Sequence, residues 1–155
     1  MKKVFLLVSF TILFFSVSAF AQTTDNDNKE QISIDTLMDQ DAQHNLNVAW
    51  QYFKLKKAYK AVVLRMDETV VAHPTFSKMD EVLYLIGMSS YYLLEDKGKQ
   101  KINLEVLNEA EQERFADARL REDAKAYLTQ LIDQHSDSKY AGKAKKTLKK
   151  LEKDK

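Results

Sequence analysis

Residues 73–91 read HPTFSKMDEVLYLIGMSSY, and this stretch decides how the chain folds. Pro74 has no amide proton and pushes the residue before it out of the helical region, so the preceding helix ends near Ala72. Ser77 can cap a new helix, with Asp80 and Glu81 well placed against the dipole of its first turn. Apolar residues then recur at helical spacing, at Met79, Val82, Leu83, Ile86, Tyr91 and Leu94. About 62 residues further on, HSDSK at 135–139 repeats the same break between two amphipathic stretches.

The pattern extends in both directions. Upstream, helical character begins at Asp35, and Leu46, Ala49, Trp50 and Phe53 make one apolar face. A turn fits between Lys54 and Ala58. A second run follows with Ala58, Val62 and Met66, and with Leu55, Tyr59, Val63 and Val70 beside them. Downstream, residues 95–107 are charged, carry Gly98 and read as a loop; Glu109 to Arg121 fits either helix or loop. A helix over about 119–134 presents Ala124, Leu128, Leu131 and Ile132. Ser136 or Asp137 can cap a last helix, about 139–151, with Tyr140, Ala144, Leu148 and Leu151 inward. One proline and three glycines leave little material for tight β-turns, and the rest is helix-forming composition. The expected fold is all-α: antiparallel helical hairpins stacked in tandem.

The first 21 residues read as a signal peptide. Lys2 and Lys3 precede an apolar run from Val4 to Val17, and Ala19-Phe20-Ala21 supplies a small-x-small cleavage site. An uncleaved anchor is the rival reading. Polar residues 22–35 are expected to be a flexible linker, and 36–152 the helical domain, with an insertion at about 95–117. Without Lys2 and Lys3 the chain has 22 basic residues against 23 acidic ones, close to neutral. That balance argues against nucleic-acid binding, which draws on a net basic surface. The absence of cysteine removes disulfides, thiolate chemistry and a lipid acceptor from these residues. The expected compartment is a Gram-negative periplasm, with outer-membrane association as an option.

Counting back from Pro74, the spacing resembles a tetratricopeptide repeat. Leu46, Ala49, Trp50 and Phe53 fall on first-helix positions, Val62, Met66 and Thr69 on second-helix positions, and Pro74 on the terminal proline. Ala124, Leu128 and Leu131 fall likewise before Ser136, and Gly87 sits where close helix approach wants a small residue. Gly87 and Ala124 are separated by about 25 residues more than the usual repeat allows, which defines the insertion. Tyr140 and Ala144 look like the start of a third repeat, giving about two and a half. Within that superfamily the chain resembles the family of the outer-membrane assembly lipoprotein BamD. The carrying residues are Pro74-x-Phe76-Ser77-Lys78-x-Asp80-Glu81-Val82-Leu83-Tyr84-x-x-Gly87, then Ala124-x-x-Tyr127-Leu128-x-x-Leu131-Ile132, then Ser138-Lys139-Tyr140-x-x-x-Ala144. The resemblance implies a scaffold holding protein partners in outer-membrane protein assembly or envelope maintenance. The chain departs from that family in lacking the lipidation cysteine and in being far shorter.

Catalysis finds no constellation. His73 and His135 sit at equivalent helix ends, where a cation complements the dipole. There is no His-x-x-x-His pair, no Gly-rich phosphate loop and no Gly-x-Ser-x-Gly. No enzyme activity, metal or cofactor is expected. For binding, the outward positions of the first helices give His44, Asn47, Gln51 and Lys54 on one, and Glu81, Tyr84, Met88 and Tyr91 on the other. An aromatic–Met stripe is more often a core signature, but Leu83, Ile86 and Leu94 already supply the neighbouring core face, and Tyr91 serves either face. The lysine-rich end, Lys139 to Lys155, reads either as a membrane-surface or acidic-partner contact, or as a soluble face capping the stack. An adaptor for cell-wall or division machinery and a small-ligand carrier are the alternative functions.

Overall fold

The computed structural model describes residues 24–153, so the expected signal peptide lies outside them. Every regular element among the described residues is helical. Helix α1 runs Thr24–Gln51 and opens into a single π-turn, Tyr52–Lys56. Its start falls inside the segment expected as a linker. Neither glycine nor proline interrupts residues 24–51, so nothing in the backbone itself stops the helical ladder there. Packing begins at Ala42, and Ala42, Leu46 and Ala49 are buried while residues 36–41 are exposed.

The π-turn ends at Lys57 in the left-handed region (φ 51°), and the Ala58 amide donates to the Tyr52 carbonyl at 3.0 Å. Leu55, grouped by sequence with the second helix, lies in this wide turn instead and faces solvent. Helix α2, Tyr59–Ala72, then packs back on α1 and buries Val62, Val63, Met66 and Thr69.

The two breaks flagged by sequence have the same hydrogen-bond succession. The His73 amide donates to Thr69, Phe76 to His73 and Met79 to Phe76; in the second copy His135 donates to Leu131, Ser138 to His135 and Ala141 to Ser138. Ser77 does not cap the next helix, because this turn places Lys78 at the cap position, and no side chain there supplies a bond. In the second copy Ser138, rather than Ser136 or Asp137, accepts from the Tyr140 amide.

Helix α3, Met79–Leu94, is the axis of the fold. It packs on α2 and α5 chiefly and also meets α1 and α6, so nearly its whole circumference is buried. Such all-round burial requires an all-round apolar helix, and Leu83, Leu85, Ile86 and Met88 are each essentially inaccessible. Helix α5, Asp117–Gln134, approaches α3 most closely at Gly87. A Cβ added there would stand 2.7 Å from Leu128 Cγ and 3.3 Å from the Leu128 amide nitrogen. The small residue expected at this position therefore sets the distance between the two helices.

Residues 95–116 form the inserted connection. A single 3-10 turn, Leu104–Val106, precedes the short helix α4, Glu109–Arg114. Gly98 has φ +106°, a conformation that L side chains rarely adopt, and it brings the loop against Lys57 and Tyr59. Phe115 is buried and anchors the far end. Arg114 bridges two helices: its Nε donates to Asp67 of α2 at 3.0 Å, and its guanidinium also pairs with Asp123 of α5. The Tyr127 hydroxyl donates to the other Asp67 oxygen at 3.3 Å. Burial pushes the Asp67 carboxyl above its ordinary value despite Arg114, and burial beside Asp67 lifts the Tyr127 phenol to about 12. Helix α6, Ala141–Lys153, closes the stack against α5 and α3.

Candidate binding face

The first helices of the successive hairpins, α1, α3 and α6, converge on one aromatic strip. Trp50 of α1 lies 6.0 Å from Tyr84 of α3 and 5.6 Å from Tyr140 beside α6, centroid to centroid. Tyr84 and Tyr140 stack at 4.4 Å. Phe53 extends the strip, edge-on to Trp50 and stacked on Tyr92. Trp50, Tyr92 and Tyr140 keep part of their surface in solvent.

Charge is laid over these rings. Lys54 Nζ stands 4.3 Å above Trp50, Lys139 4.9 Å from the Tyr140 centroid and Lys143 5.8 Å from that of Tyr84. Each is within the range of a cation–π attraction. A hydrogen bond to Tyr140 holds Lys139 above the usual amine range, and one to Tyr84 does the same for Lys143, so both stay cationic. Burial raises the Tyr140 phenol. Glu81 is the common acid: it accepts from Trp50 Nε1 at 2.5 Å and faces Lys139 Nζ at 3.7 Å. Next to it, the Ser138 hydroxyl donates to Asp80 at 2.7 Å, tying the start of α6 to the start of α3.

The eight residues projected from sequence divide sharply. His44, Asn47, Gln51 and Lys54 are exposed along α1, as expected. Glu81 is half-buried at the centre of the strip. Tyr84, Met88 and Tyr91 are not available surface: their exposures are 4, 1 and 5 %. The correction has a tertiary cause. Helix α6 lies over the stripe, placing Tyr140 on Tyr84 and bringing the Thr147 hydroxyl to 3.5 Å from Met88 Sδ. Sequence reasoning missed Trp50, Tyr140, Lys139 and Lys143 as members of the face. By sequence Trp50 and Tyr140 fall on apolar faces and the lysines on the lysine-rich end of the chain. The usable signal was the repeat itself, since Trp50, Tyr84 and Tyr140 all lie on first helices or at their start.

Such a face can hold a polypeptide by ring contacts, amine donors and one carboxylate. Its groups make no nucleophile–base pair of the kind covalent catalysis uses. Among the described residues no group of three or more His, Cys, Asp or Glu is placed to hold a metal ion. A cavity of about 770 Å³ lies apart from the strip, between residues 36–40 of α1 and the 72–76 turn. No helix among the described residues is long and apolar enough to cross a membrane.

Residues 37–154 match the protein-family model described as YfiO, outer membrane lipoprotein. That span is most of the chain and begins close to where helical packing starts. No curated protein and no solved structure matches it significantly.

Proposed function

The chain belongs to the YfiO family of outer membrane lipoproteins, and from that premise we propose that it is a periplasmic helical-repeat scaffold gripping a partner polypeptide. The context of that grip is the assembly of outer-membrane β-barrel proteins or the maintenance of the envelope. The observation that carries the reading is the strip on which Trp50, Tyr84 and Tyr140 meet beneath Lys54, Lys139 and Lys143. Aromatic rings are favoured contact residues at protein interfaces, whose rim is polar, and helices buried on one another supply the stiffness.

In this reading Trp50 and Tyr140 are the anchors. Lys54, Gln51, Asn47 and His44 extend the contact along α1. The reading is non-enzymatic: recognition is the whole of the chemistry. The insertion adds a second contact surface, where Val106 is 76 % exposed. The signal-like segment before residue 22 supports export.

The test is capture of envelope proteins by the mature chain and by a Gln51→Ala, Lys54→Glu variant. Both positions are exposed, so the variant keeps its helical circular dichroism. Barrel-assembly components or unfolded barrel substrates are expected on the unmodified chain and reduced about tenfold on the variant, the cost of one or two contact residues. Equal capture by both proteins would remove α1 from the interface.

A further inference from the structure

The lysines of α6 form a second surface, distinct from the aromatic strip. Residues 139–155 carry eight lysines against two acids, a charge of +6 in a chain whose total is +1, so the other 138 residues carry −5. The imbalance is concentrated on one helix face. Lys145, Lys146, Lys149, Lys150 and Lys153 are all exposed. At helical spacing they occupy an arc of about 140° opposite Ala144, Thr147, Leu148 and Leu151. Those four point inward, with Ala144, Thr147 and Leu151 buried and Leu148 half-buried.

Two observations separate this face from an ordinary soluble cap. None of the five lysines has an acidic partner among the described residues, although Lys139 on the strip pairs with Glu81. The pairs 145–149, 149–153 and 146–150 instead place like charges four residues apart, which weakens a helix. The opposite end of the stack shows that solubility does not require this. The exposed face of α1 mixes Asp39, Gln40, Asp41, His44, Asn47, Gln51 and Lys54. Glu152 is exposed at the edge of the arc but forms no ion pair with these lysines among the described residues, so the face keeps a strong positive excess open to an external partner.

We propose that this face docks the protein on an anionic phospholipid surface. The arc presents its amines along one side of a helix of 13 residues, which suits a surface of headgroup phosphates. Each lysine near an anionic bilayer adds to attraction, and several together give reversible attachment without insertion. The 155 residues contain no cysteine to receive a lipid. Electrostatic docking would place the scaffold at a membrane through residues that the helix itself carries. The inference takes only the envelope location from the proposed function; which polypeptide the strip grips does not enter.

The experiment is co-sedimentation of the mature chain with phosphatidylcholine vesicles and with mixed phosphatidylcholine–phosphatidylglycerol vesicles, over a range of salt. Binding is expected to the anionic vesicles alone, and to fall as salt screens the surface. A Lys149→Gln, Lys150→Gln variant should bind at least about tenfold more weakly, from roughly fivefold per lysine. A Lys149→Arg, Lys150→Arg variant should bind like the unmodified chain. Equal binding to neutral vesicles, no binding to anionic ones, or indifference to the glutamine changes would each overturn the proposal. Lysine-dependent capture of an acidic envelope protein without vesicle binding would overturn it too, in favour of that partner. A Lys54→Glu change should leave vesicle binding intact, so failure of the strip and failure of the lysine face are told apart.

Discussion

Helices α1 and α3 are the same element of two successive hairpins, and helical projection assigns each an outward stripe. On α1 the stripe of His44, Asn47, Gln51 and Lys54 is exposed. On α3 the stripe of Tyr84, Met88 and Tyr91 is buried, and of the four projected positions Glu81 alone reaches solvent. The difference is not in helical geometry, which is shared. Among the described residues α1 packs mainly on α2 and touches α3, whereas α3 has α2 and α5 behind it and α6 across its front. In a short array every helix that is not terminal is core on most faces, and a groove survives only where the array runs out of helices.

The sharpest way to break this comparison is truncation on both sides of it. Changing Tyr84 and Met88 to alanine should cost at least about 4 kcal/mol, since buried aromatic and Met truncations each cost several. That approaches the whole stability of a small domain, so cooperative thermal unfolding should be lost or shifted far down. Retention of a native melting curve would mean that α6 does not cover the stripe.

A smaller effect tests how α3 meets α5. Gly87→Ala should destabilise by about 1–3 kcal/mol, because the new methyl would have to displace fully buried Leu128. Chemical denaturation should show a lower midpoint with an unchanged slope. A neutral result would place the two helices further apart than Gly87 implies.

Alkaline titration sharpens the view from behind α3. The Tyr127 phenol is raised from 10.0 to about 12, mainly by burial and then by Asp67. The unfolded chain therefore ionises first. The stabilisation is fully present below pH 10 and is lost as pH climbs toward about 12. Tyr127→Phe should flatten that part of the stability–pH profile relative to the unmodified chain, measured by denaturation at several pH values. An unchanged profile would place Tyr127 outside the Asp67–Arg114 cluster.

The smallest expected effect is on α1. Alanine at His44, Asn47 or Gln51 should alter stability by no more than about 0.5 kcal/mol, as exposed positions do. Any change in partner capture there would then report on binding and not on folding.

Much of the architecture was legible because it rests on local rules. Pro74 cannot continue the helix before it, and the equivalent turns after His73 and His135 follow from short motifs repeated in order. The need for a small residue at Gly87 was legible from the repeat spacing, and Leu128 is the neighbour that makes it so. That the chain turns near Lys54–Ala58 was legible, but the π form of the turn at Tyr52–Lys56 was not, since no residue there breaks a helix and its form depends on how α2 returns. Nor was the Arg114 bridge, whose partners Asp67 and Asp123 lie on two other helices and look like solvated charges in sequence.

The chain by itself determined that it is helical, where its principal helices break, that the breaks recur and which positions are apolar. These follow from hydrogen-bonding and periodicity within one or two turns, and neighbours cannot easily overrule them. Only the tertiary structure decided which apolar stripe would be core and which aromatic rings would meet. Tyr84 and Trp50 carry no local mark of exposure; Tyr140 and α6 arrive from positions far along the chain and cover one more fully than the other. Burial is a property of what packs against a surface, and that is set by the path of the whole chain.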